Sequence, residues 1–200
     1  MDVMQAIQRM LPHLEDGYLN ELATQCAGIA LQDWKKGENL FVEHRTFQSL
    51  VIIETGLVRS FYLDDDTEIN LRFLCDGSLA VPFAAVAQAF CADHAALVSS
   101  ETVQCVTAVS GYALPISLLV NQQRSAPWER LRTELSARHY LSMEQRLRMI
   151  QHQRAIERYK RFLQWMPEPI VRHMPNIHVA SYLGMSAEAL SRIKQQFSPD

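Results

Sequence analysis

Apolar side chains follow two different spacings along the chain, one typical of helices and one typical of strands. In about the first 30 residues, and again after Pro115, they recur every three or four positions, as in amphipathic helices. Between Trp34 and about Leu114 they form short runs ending in glycine or aspartate, at the roughly 8–12-residue spacing of an antiparallel sandwich or barrel. The pattern predicts an α+β fold, with an antiparallel β-domain between N-terminal helices and a helical C-terminal segment.

A long helix is predicted near the start of the C-terminal segment. Ser125 and Pro127 mark its beginning, and it runs to about Ile150, a length of about 25 residues or ~37 Å. Because such a helix is longer than a small β-domain, its apolar stripe is expected to pair with a second copy of the chain in a two-fold homodimer. The predicted dimerisation stripe consists of Trp128, Leu131, Leu135, His139, Met143 and Leu147.

Shorter helices are predicted after the long one. The first covers about residues 154–166 and is expected to end at Pro167 and Pro169, since proline interrupts a helix interior. Two more short helices are expected after Pro175.

Residues 177–193 match the pattern of a helix-turn-helix motif. Ala180 is a small residue at the point where two helices would touch, and Gly184, four positions later, suits the positive φ of the turn. Ser186 is placed to cap the second helix. The apolar residues that would pack between the two helices are Val179, Leu183, Met185, Leu190 and Ile193.

The second helix of this motif would present a polar face suited to DNA. A glutamate accepts a hydrogen bond from the cytosine amino group, and an arginine donates two to guanine. We interpret this face as a DNA-binding surface that docks in the major groove. Its residues are Ser186, Ala187, Glu188, Ser191 and Arg192, with Lys194, Arg146, Arg148, Lys160 and Arg161 as candidates for phosphate contacts.

The distribution of charge supports an anionic partner for the C-terminal half. Residues 1–114 contain six Lys and Arg against fifteen Asp and Glu, a net charge of −9 with histidine neutral. Residues 115–200 contain thirteen Lys and Arg against seven Asp and Glu, a net charge of +6. Nucleic acid is the commonest partner of such a basic half, although helical surfaces that simply carry arginine give the same asymmetry.

The composition excludes several classes of protein. With 48% hydrophobic and 20% charged residues, the chain is neither collagen-like nor disordered. Its longest apolar run, residues 79–87, is far shorter than the ~20 residues of a membrane-spanning helix, and no secretory signal is visible, so the expected location is the cytoplasm. No two cysteines have C-x-x-C spacing, which favours reduced core residues. They are Cys26, Cys75, Cys91 and Cys105.

Three parts of the chain together resemble the Crp/Fnr family of bacterial transcription regulators. Segments 36–41, 56–62 and 68–73 are similar to hairpins of that family's cyclic-nucleotide-binding, cupin-like β-roll. Residues 157–167 are similar to the helix before its DNA-binding motif. Residues 179–193 carry the most specific match, since the family's recognition helix often contains Glu-x-x-Ser-Arg, here Glu188, Ser191 and Arg192.

The resemblance implies a domain organisation and a function. Residues 1–124 would form a double-stranded β-roll effector domain with N-terminal helices, residues 125–150 the dimerisation helix, and residues 151–200 the helix-turn-helix domain. No following wing is evident. The chain would be a sequence-specific transcriptional regulator that binds a palindromic site as a homodimer. Its partners would be double-stranded DNA and a second copy of the chain, with RNA polymerase a further candidate and no membrane.

Two departures from the family disfavour cyclic AMP as the effector. Members that bind it carry a Gly-Glu pair and an Arg-Ser/Thr-Ala run, whereas the chain has Gly77-Ser78 and an Asp93-His94 segment in those places. A buried cyclic phosphate without a cation or dense donors would cost several kcal/mol, and a neutral histidine offers one donor. The effector therefore stays unidentified, with a candidate pocket of Arg72, Gly77, Ser78, Val81, Pro82 and His94.

Two other functions compete with this interpretation. A metal enzyme built on a cupin-like roll would need histidines at H-x-H spacing with a carboxylate, and the seven histidines are scattered. Nucleophile-elbow, Walker A and dinucleotide-binding motifs are absent, so we predict no enzyme, catalytic residue or metal ligand. The alternative of a protein-interaction or small-ligand-binding protein with a degenerate helix-turn-helix is not excluded. It is favoured slightly by Ala187, because some members of the Crp/Fnr family carry arginine at this position.

Overall fold

The chain folds into two antiparallel sheets, with helices before, between and after the strands in sequence. A computed structural model describes residues 2–12, 16–91, 97–120 and 126–197. The strands are β1 (Leu31–Trp34), β2 (Asn39–Phe41), β3 (Ser49–Thr55), β4 (Val58–Asp64), β5 (Thr67–Leu74), β6 (Leu79–Ala80), β7 (Thr102–Cys105) and β8 (Val109–Pro115). The helices are α1 (Val3–Met10), α2 (Asp16–Gln25), α3 (Phe83–Cys91), α4 (Ser117–Val120), α5 (Ala126–Ile150), α6 (Ala155–Trp165), α7 (Glu168–His173), α8 (Asn176–Tyr182) and α9 (Ala187–Gln195).

The strands form a β-roll of two four-stranded sheets. One sheet has the order β1-β8-β3-β6 and the other β2-β7-β4-β5, and the paired strands are antiparallel. Apolar side chains of the two sheets share one core with α1, α2 and the first half of α5. This arrangement confirms the predicted α+β class and its β-roll. Side chains buried in this core include Ile7, Leu22, Leu50, Ile52, Ile53, Tyr112 and Leu114.

The hairpin between β4 and β5 ends in a two-residue turn. Asp64 pairs with Thr67, and Asp65 and Asp66 between them have φ of 44° and 62°. Positive φ at both central residues is the geometry of a type I′ turn, whose twist matches that of the flanking strands. The aspartate triplet therefore forms an exposed, acidic hairpin tip.

Helix α5 has the length that the apolar pattern predicted. It comprises 25 residues and connects the β-roll to the C-terminal helices. Within the described ranges, neither α5 nor another helix combines the length and apolar character needed to cross a membrane. The predicted start at Ser125 lies outside the described residues.

The apolar stripe of α5 is divided between the β-roll and solvent, which corrects the predicted dimerisation stripe. Trp128, Leu131 and Leu135 are buried in the core of the β-roll and are therefore not available to a second copy. His139 stacks on Phe83 at 4.2 Å between ring centroids. Helical periodicity identifies an apolar face without showing what covers it, and here the chain's own sheets cover its first half.

Two helices, α3 and α7, were not predicted from the sequence pattern. Helix α3 follows β6 in a region expected to consist of short strands. Helix α7 begins directly after Pro167, and Pro169 lies in its first turn, where the missing N–H of proline costs no hydrogen bond. These prolines therefore end α6, as predicted, and also start a further helix.

A second apolar core joins the β-roll to the C-terminal helices. Phe73 of β5 lies 4.8 Å from the Tyr182 ring and 6.5 Å from the Phe162 ring, measured between centroids. Leu57 and Cys75 of the β-roll and Met149 of α5 belong to the same cluster. The C-terminal helices are thus packed against one edge of the β-roll.

Three of the four cysteines are buried, unpaired thiols, as predicted. Cys26 and Cys105 belong to the core of the β-roll and Cys75 to the second core. Burial raises the pKa of Cys26 and of Cys105 to about 11, so these thiols stay protonated and unreactive at neutral pH. The side chain of Cys91 is outside the described residues.

Candidate functional site

Helices α8 and α9 are joined by a tight turn with the geometry that the sequence predicted. Gly184 has a φ of 62°, a conformation that favours glycine because it has no Cβ. Met185 N–H donates to the Ala180 carbonyl at 3.0 Å, which closes the turn over the end of α8. The Ser186 hydroxyl then caps α9 by accepting from the Ala189 N–H at 3.2 Å. The chain therefore contains a helix-turn-helix pair.

Arg158 of α6 holds the turn in place, a role that the sequence analysis missed. Its Nη1 donates to the carbonyl oxygens of Leu183 and Gly184, both at 3.0 Å. Hydrogen bonds from a charged donor are among the stronger ones in proteins. The turn between α8 and α9 is therefore held by a side chain of α6.

Replacing Arg158 with alanine is expected to loosen this turn. Losing two charge-assisted hydrogen bonds should lower the free energy of unfolding by about 1–3 kcal/mol, measured by urea denaturation of the full chain. Arg172→Ala is the control, because Arg172 forms an exposed ion pair with Glu168 on α7 and should change stability by about 0.5 kcal/mol or less. Equal stability of the two variants would contradict the role assigned to Arg158.

Helix α9 divides into a buried apolar side and an exposed polar side. Leu190 and Ile193 pack in the second core with Val179, Ala180 and Leu183. Glu188, Ser191 and Arg192 are exposed on the other side of the helix. A hydrogen bond from its own backbone N–H, the Ser186 hydroxyl and nearby Arg192 lower the pKa of Glu188, so its carboxylate is ionised at neutral pH. The helix thus presents a negative acceptor and a positive donor one turn apart.

Two other residues assigned to the DNA-binding face of α9 already contact other parts of the chain. Ala187 is half-buried and packs against the second core, and Lys194 donates to Asn176 Oδ1 at 2.8 Å. Among the candidates for phosphate contacts, Arg146 is directed inward, where it donates to the Asn70 carbonyl at 3.0 Å and lies 5.1 Å from the Tyr182 ring. Arg148 and Lys160 form ion pairs on their own helices, and Arg161 lies over Trp165.

Helix α8 is fixed to strand β5 by a reciprocal hydrogen-bond pair. Ser181 Oγ donates to the Glu68 carbonyl at 2.8 Å and accepts from the Asn70 N–H at 3.0 Å. A side chain that pairs with both backbone groups in this way extends the edge of the sheet. These two hydrogen bonds therefore attach the helix-turn-helix pair to the β4–β5 hairpin.

A second contact between α8 and the β-roll involves His178. Arg59 Nη1 forms hydrogen bonds with both Glu68 Oε2, at 2.5 Å, and His178 Nδ1, at 3.0 Å. Burial and the Arg59 charge lower the pKa of His178, so the ring is neutral at pH 7 and accepts from the guanidinium. His178 therefore serves the contact between α8 and the β-roll in this structure.

The inside of the β-roll already contains a carboxylate that pairs with the predicted pocket cation. Arg72 forms an ion pair with Glu101, and both side chains are less than 10% exposed. Arg72 Nη2 also donates to the Val81 carbonyl at 3.0 Å, and the Ser60 hydroxyl donates to Glu101 Oε2 at 2.6 Å. Glu101 was not predicted, because its pairing with Arg72 depends on the sheet topology and has no local sequence signal.

The other residues of the predicted pocket lie around two cavities that share Phe83, Leu135 and His139 in their linings. Gly77 and Ser78 line a cavity of about 210 Å³ that also reaches Arg72, Arg138 and His139. Val81 lines a different cavity, Pro82 is buried, and His94 lies outside the described residues. Among the residues that the structure describes, no three His, Cys, Asp or Glu side chains come together as a metal site.

His139 makes the stability of the chain dependent on pH. Burial and the charge of Arg72 lower its pKa from 6.5 to about 4. The unfolded chain therefore binds this proton first, and stability is lost as the pH falls from about 6.5 towards 4. Urea denaturation at pH 7 and pH 5 should show a smaller loss in His139→Gln than in the wild type. The same loss in both proteins would contradict this assignment.

Comparison with solved structures identifies the fold. FixK2 from Bradyrhizobium japonicum has a TM-score of 0.68 at 19% identity, over 84% of each chain. A Crp/Fnr-family transcriptional regulator from Eubacterium rectale has a TM-score of 0.66 at 18% identity, over 94% of this chain and 85% of that one. The c-di-GMP-responsive global regulator CLP of Xanthomonas campestris has a TM-score of 0.65 at 13% identity, over 92% and 91%.

Comparisons of sequence alone add nothing to this result, since neither a protein-family model nor a curated protein matches the chain. The identities to these three structures are below 20%, so the likeness rests on architecture. It extends over 84–94% of the chain. The chain has the fold of the Crp/Fnr transcriptional regulators.

Proposed function

We propose that the chain is a sequence-specific DNA-binding transcriptional regulator that acts in the cytoplasm as a homodimer on a palindromic site. The observation that carries this proposal is the two-sided character of α9. Its Leu190 and Ile193 fix it to the second core, while Glu188, Ser191 and Arg192 stay exposed at the spacing of base-reading side chains. No catalytic role is assigned to the chain.

The second half of α5 supports the homodimer. Tyr140, Leu141 and Leu147 are 68%, 55% and 51% exposed, whereas apolar residues of the first half pack in the β-roll. Tyr140 and Leu147 are seven residues apart and lie on the same side of the helix. Pairing of two such faces about a two-fold axis would place the recognition helices roughly one DNA turn apart, at successive major grooves.

The β-roll would sense an effector other than cyclic AMP bound in the usual way. An anionic ligand at Arg72 would have to displace the Glu101 carboxylate, which already neutralises the guanidinium in a buried position. Movements of the β-roll would reach α9 through the Ser181 contacts between α8 and β5. An effector could in this way change the spacing of the two recognition helices through the segment 151–154.

A protein-interaction module with a degenerate helix-turn-helix is the second candidate. It is favoured by the half-buried Ala187, whose side chain offers no hydrogen bond to a base, and by the acidic tip of the β4–β5 hairpin beside α8. Carboxylates at that position would repel DNA phosphates at low salt.

Selection from random duplex DNA at low salt tests the proposal against this alternative. The wild type should enrich a palindrome whose half-sites are about 10 base pairs apart, and Glu188→Ala/Arg192→Ala should not. Glu168→Ala/Arg172→Ala is the matched control, because it removes an exposed glutamate and arginine from α7. It should enrich the same palindrome. Failure of all three proteins to enrich any sequence would favour the interaction module.

A further inference from the structure

Arg59 is a buried cation at the contact between the β-roll and α8. The residue is 4% exposed, and neighbouring strands hold its guanidinium in one orientation. Gln104 Oε1 of β7 accepts from Arg59 Nε at 3.0 Å and from Nη2 at 2.7 Å, while Glu68 Oε2 of β5 accepts from Nη1 at 2.5 Å. The same Nη1 lies 3.0 Å from His178 Nδ1. A fixed guanidinium is thus directed at one ring nitrogen of α8.

This contact determines the protonation state of the His178 ring. A guanidinium nitrogen donates hydrogen bonds and accepts none, so His178 Nδ1 has to be the acceptor. The ring is therefore neutral, with its proton on Nε2. Protonation would place a second N–H opposite the Arg59 N–H at 3.0 Å and bring two positive charges together. The hydrogen bond exists only while the ring is neutral.

Charged groups from each neighbouring element bear on this ring. Arg59 lies on β4 and forms an ion pair with Glu68 on β5. Asp66 at the hairpin tip lines the same groove as His178, and Arg146 of α5 lies against the last residue of α8. Burial and Arg59 lower the pKa of His178, and Glu68 offsets only part of this lowering. The ring therefore takes up a proton more readily when α8 is away from the hairpin.

His178 lies one turn from the side chain that attaches α8 to the edge of the sheet. Strand β5 is the last strand of its sheet, and Ser181 Oγ accepts from its Asn70 N–H at 3.0 Å and donates to its Glu68 carbonyl at 2.8 Å. Glu68 thus contributes its carboxylate to Arg59 and its carbonyl to Ser181. A displacement at His178 would reach the Ser181 contacts through one turn of helix.

We propose that Arg59 and His178 form a proton-controlled latch between the β-roll and the helix-turn-helix pair. At neutral pH the ring accepts from Arg59, and the latch is closed. In acid the guanidinium repels the protonated ring, and α8 loosens from the β4–β5 hairpin while its apolar side stays in the second core. A pH-dependent placement of α9 on DNA would follow, and only this consequence rests on the proposed function.

The latch should open as the pH falls below about 6.5. The released ring has the ordinary histidine pKa of 6.5, and the held ring has a lowered pKa, so protons favour release. Between pH 7.5 and pH 5.5, linkage limits the shift of the release equilibrium to about tenfold.

The Asn70 amide reports whether α8 is attached to the hairpin, because its N–H donates to Ser181. Its hydrogen exchange, measured by NMR on the full chain and corrected for the intrinsic rate, gives the equilibrium for local release. From pH 7.5 to pH 5.5, protection should fall about three- to tenfold more in the wild type than in His178→Gln. Any loss of stability that arises at His139 is common to both proteins and cancels in this comparison.

Glutamine is chosen at position 178 because its side-chain oxygen accepts from Arg59 at every pH and does not titrate. His173→Gln is the matched control, since His173 is exposed at the end of α7. It should show the same fall in Asn70 protection as the wild type. An equal fall in the wild type and His178→Gln, or no fall in the wild type, would overturn the proposal.

The ring nitrogens provide a second test, on the wild type alone, that holds even if His178→Gln fails to fold. Their ¹⁵N shifts should show a bare Nδ1 at pH 7.5, and ring protonation should share its midpoint with the loss of Asn70 protection. A proton on Nδ1 at pH 7.5, or two separate midpoints, would overturn the latch. Neither test uses DNA, and Arg192→Ala should behave like the wild type in both, so the latch and the proposed function fail separately.

Discussion

Arg192→Ala is expected to weaken binding to the selected palindrome by about 1–3 kcal/mol per half-site, as for loss of a bidentate guanine contact. Arg192 is exposed on α9, opposite the buried Leu190 and Ile193. Its removal should leave the fold intact and relax preference at one base pair of each half-site. Fluorescence anisotropy with the palindrome and with single-base variants measures both effects.

Arg148→Ala is the charge-matched control for this experiment. Arg148 is exposed on α5 and paired with Glu144, so its removal changes the net charge equally without touching the recognition face. It should keep the wild-type preference at every position of the palindrome. If Arg192→Ala also kept the wild-type affinity and preference, α9 would not read bases through this side chain.

Tyr140→Asp/Leu147→Asp should convert the proposed dimer into monomers. The two side chains are 68% and 51% exposed on one side of α5, and paired carboxylates there would bring like charges together in an apolar contact. A monomer binds a single half-site, so its affinity for the palindrome should fall by about 100-fold or more. Sedimentation equilibrium and anisotropy test the two parts of this prediction.

Leu31→Asp is the control for the dimer variant. Leu31 is 49% exposed on β1, in the sheet that does not contain the β4–β5 hairpin, so this substitution adds a carboxylate at a comparably exposed leucine. The control should stay dimeric and bind the palindrome like the wild type. A dimeric Tyr140→Asp/Leu147→Asp protein would show that α5 does not form the contact between copies.

The helix-turn-helix pair could be predicted from the sequence because its determinants are local. The positive φ of Gly184, the Ser186 cap and the packing of Leu190 and Ile193 each follow from residue type and spacing within a few turns. The order of short strands and the length of α5 follow from periodicity for the same reason.

Contacts between distant segments could not be predicted in this way. Arg72 and Glu101 meet only because the roll brings the two segments together, and Arg158 reaches the turn only because α6 packs beside α9. The apolar spacing along α5 likewise does not distinguish Trp128 and Leu135, which pack in the β-roll, from Leu147, which is exposed. Periodicity shows that a face is apolar, and tertiary packing decides which surface covers it.

Substitution of 7-deazaguanine for each guanine of the selected half-site tests most directly that α9 reads bases. This base lacks the N7 acceptor and keeps its Watson–Crick pairing. The wild type should lose about fivefold in affinity at one guanine per half-site, as for one lost hydrogen bond, and Arg192→Ala should lose nothing there. An equal loss in both proteins, or none in the wild type, would contradict base reading by Arg192.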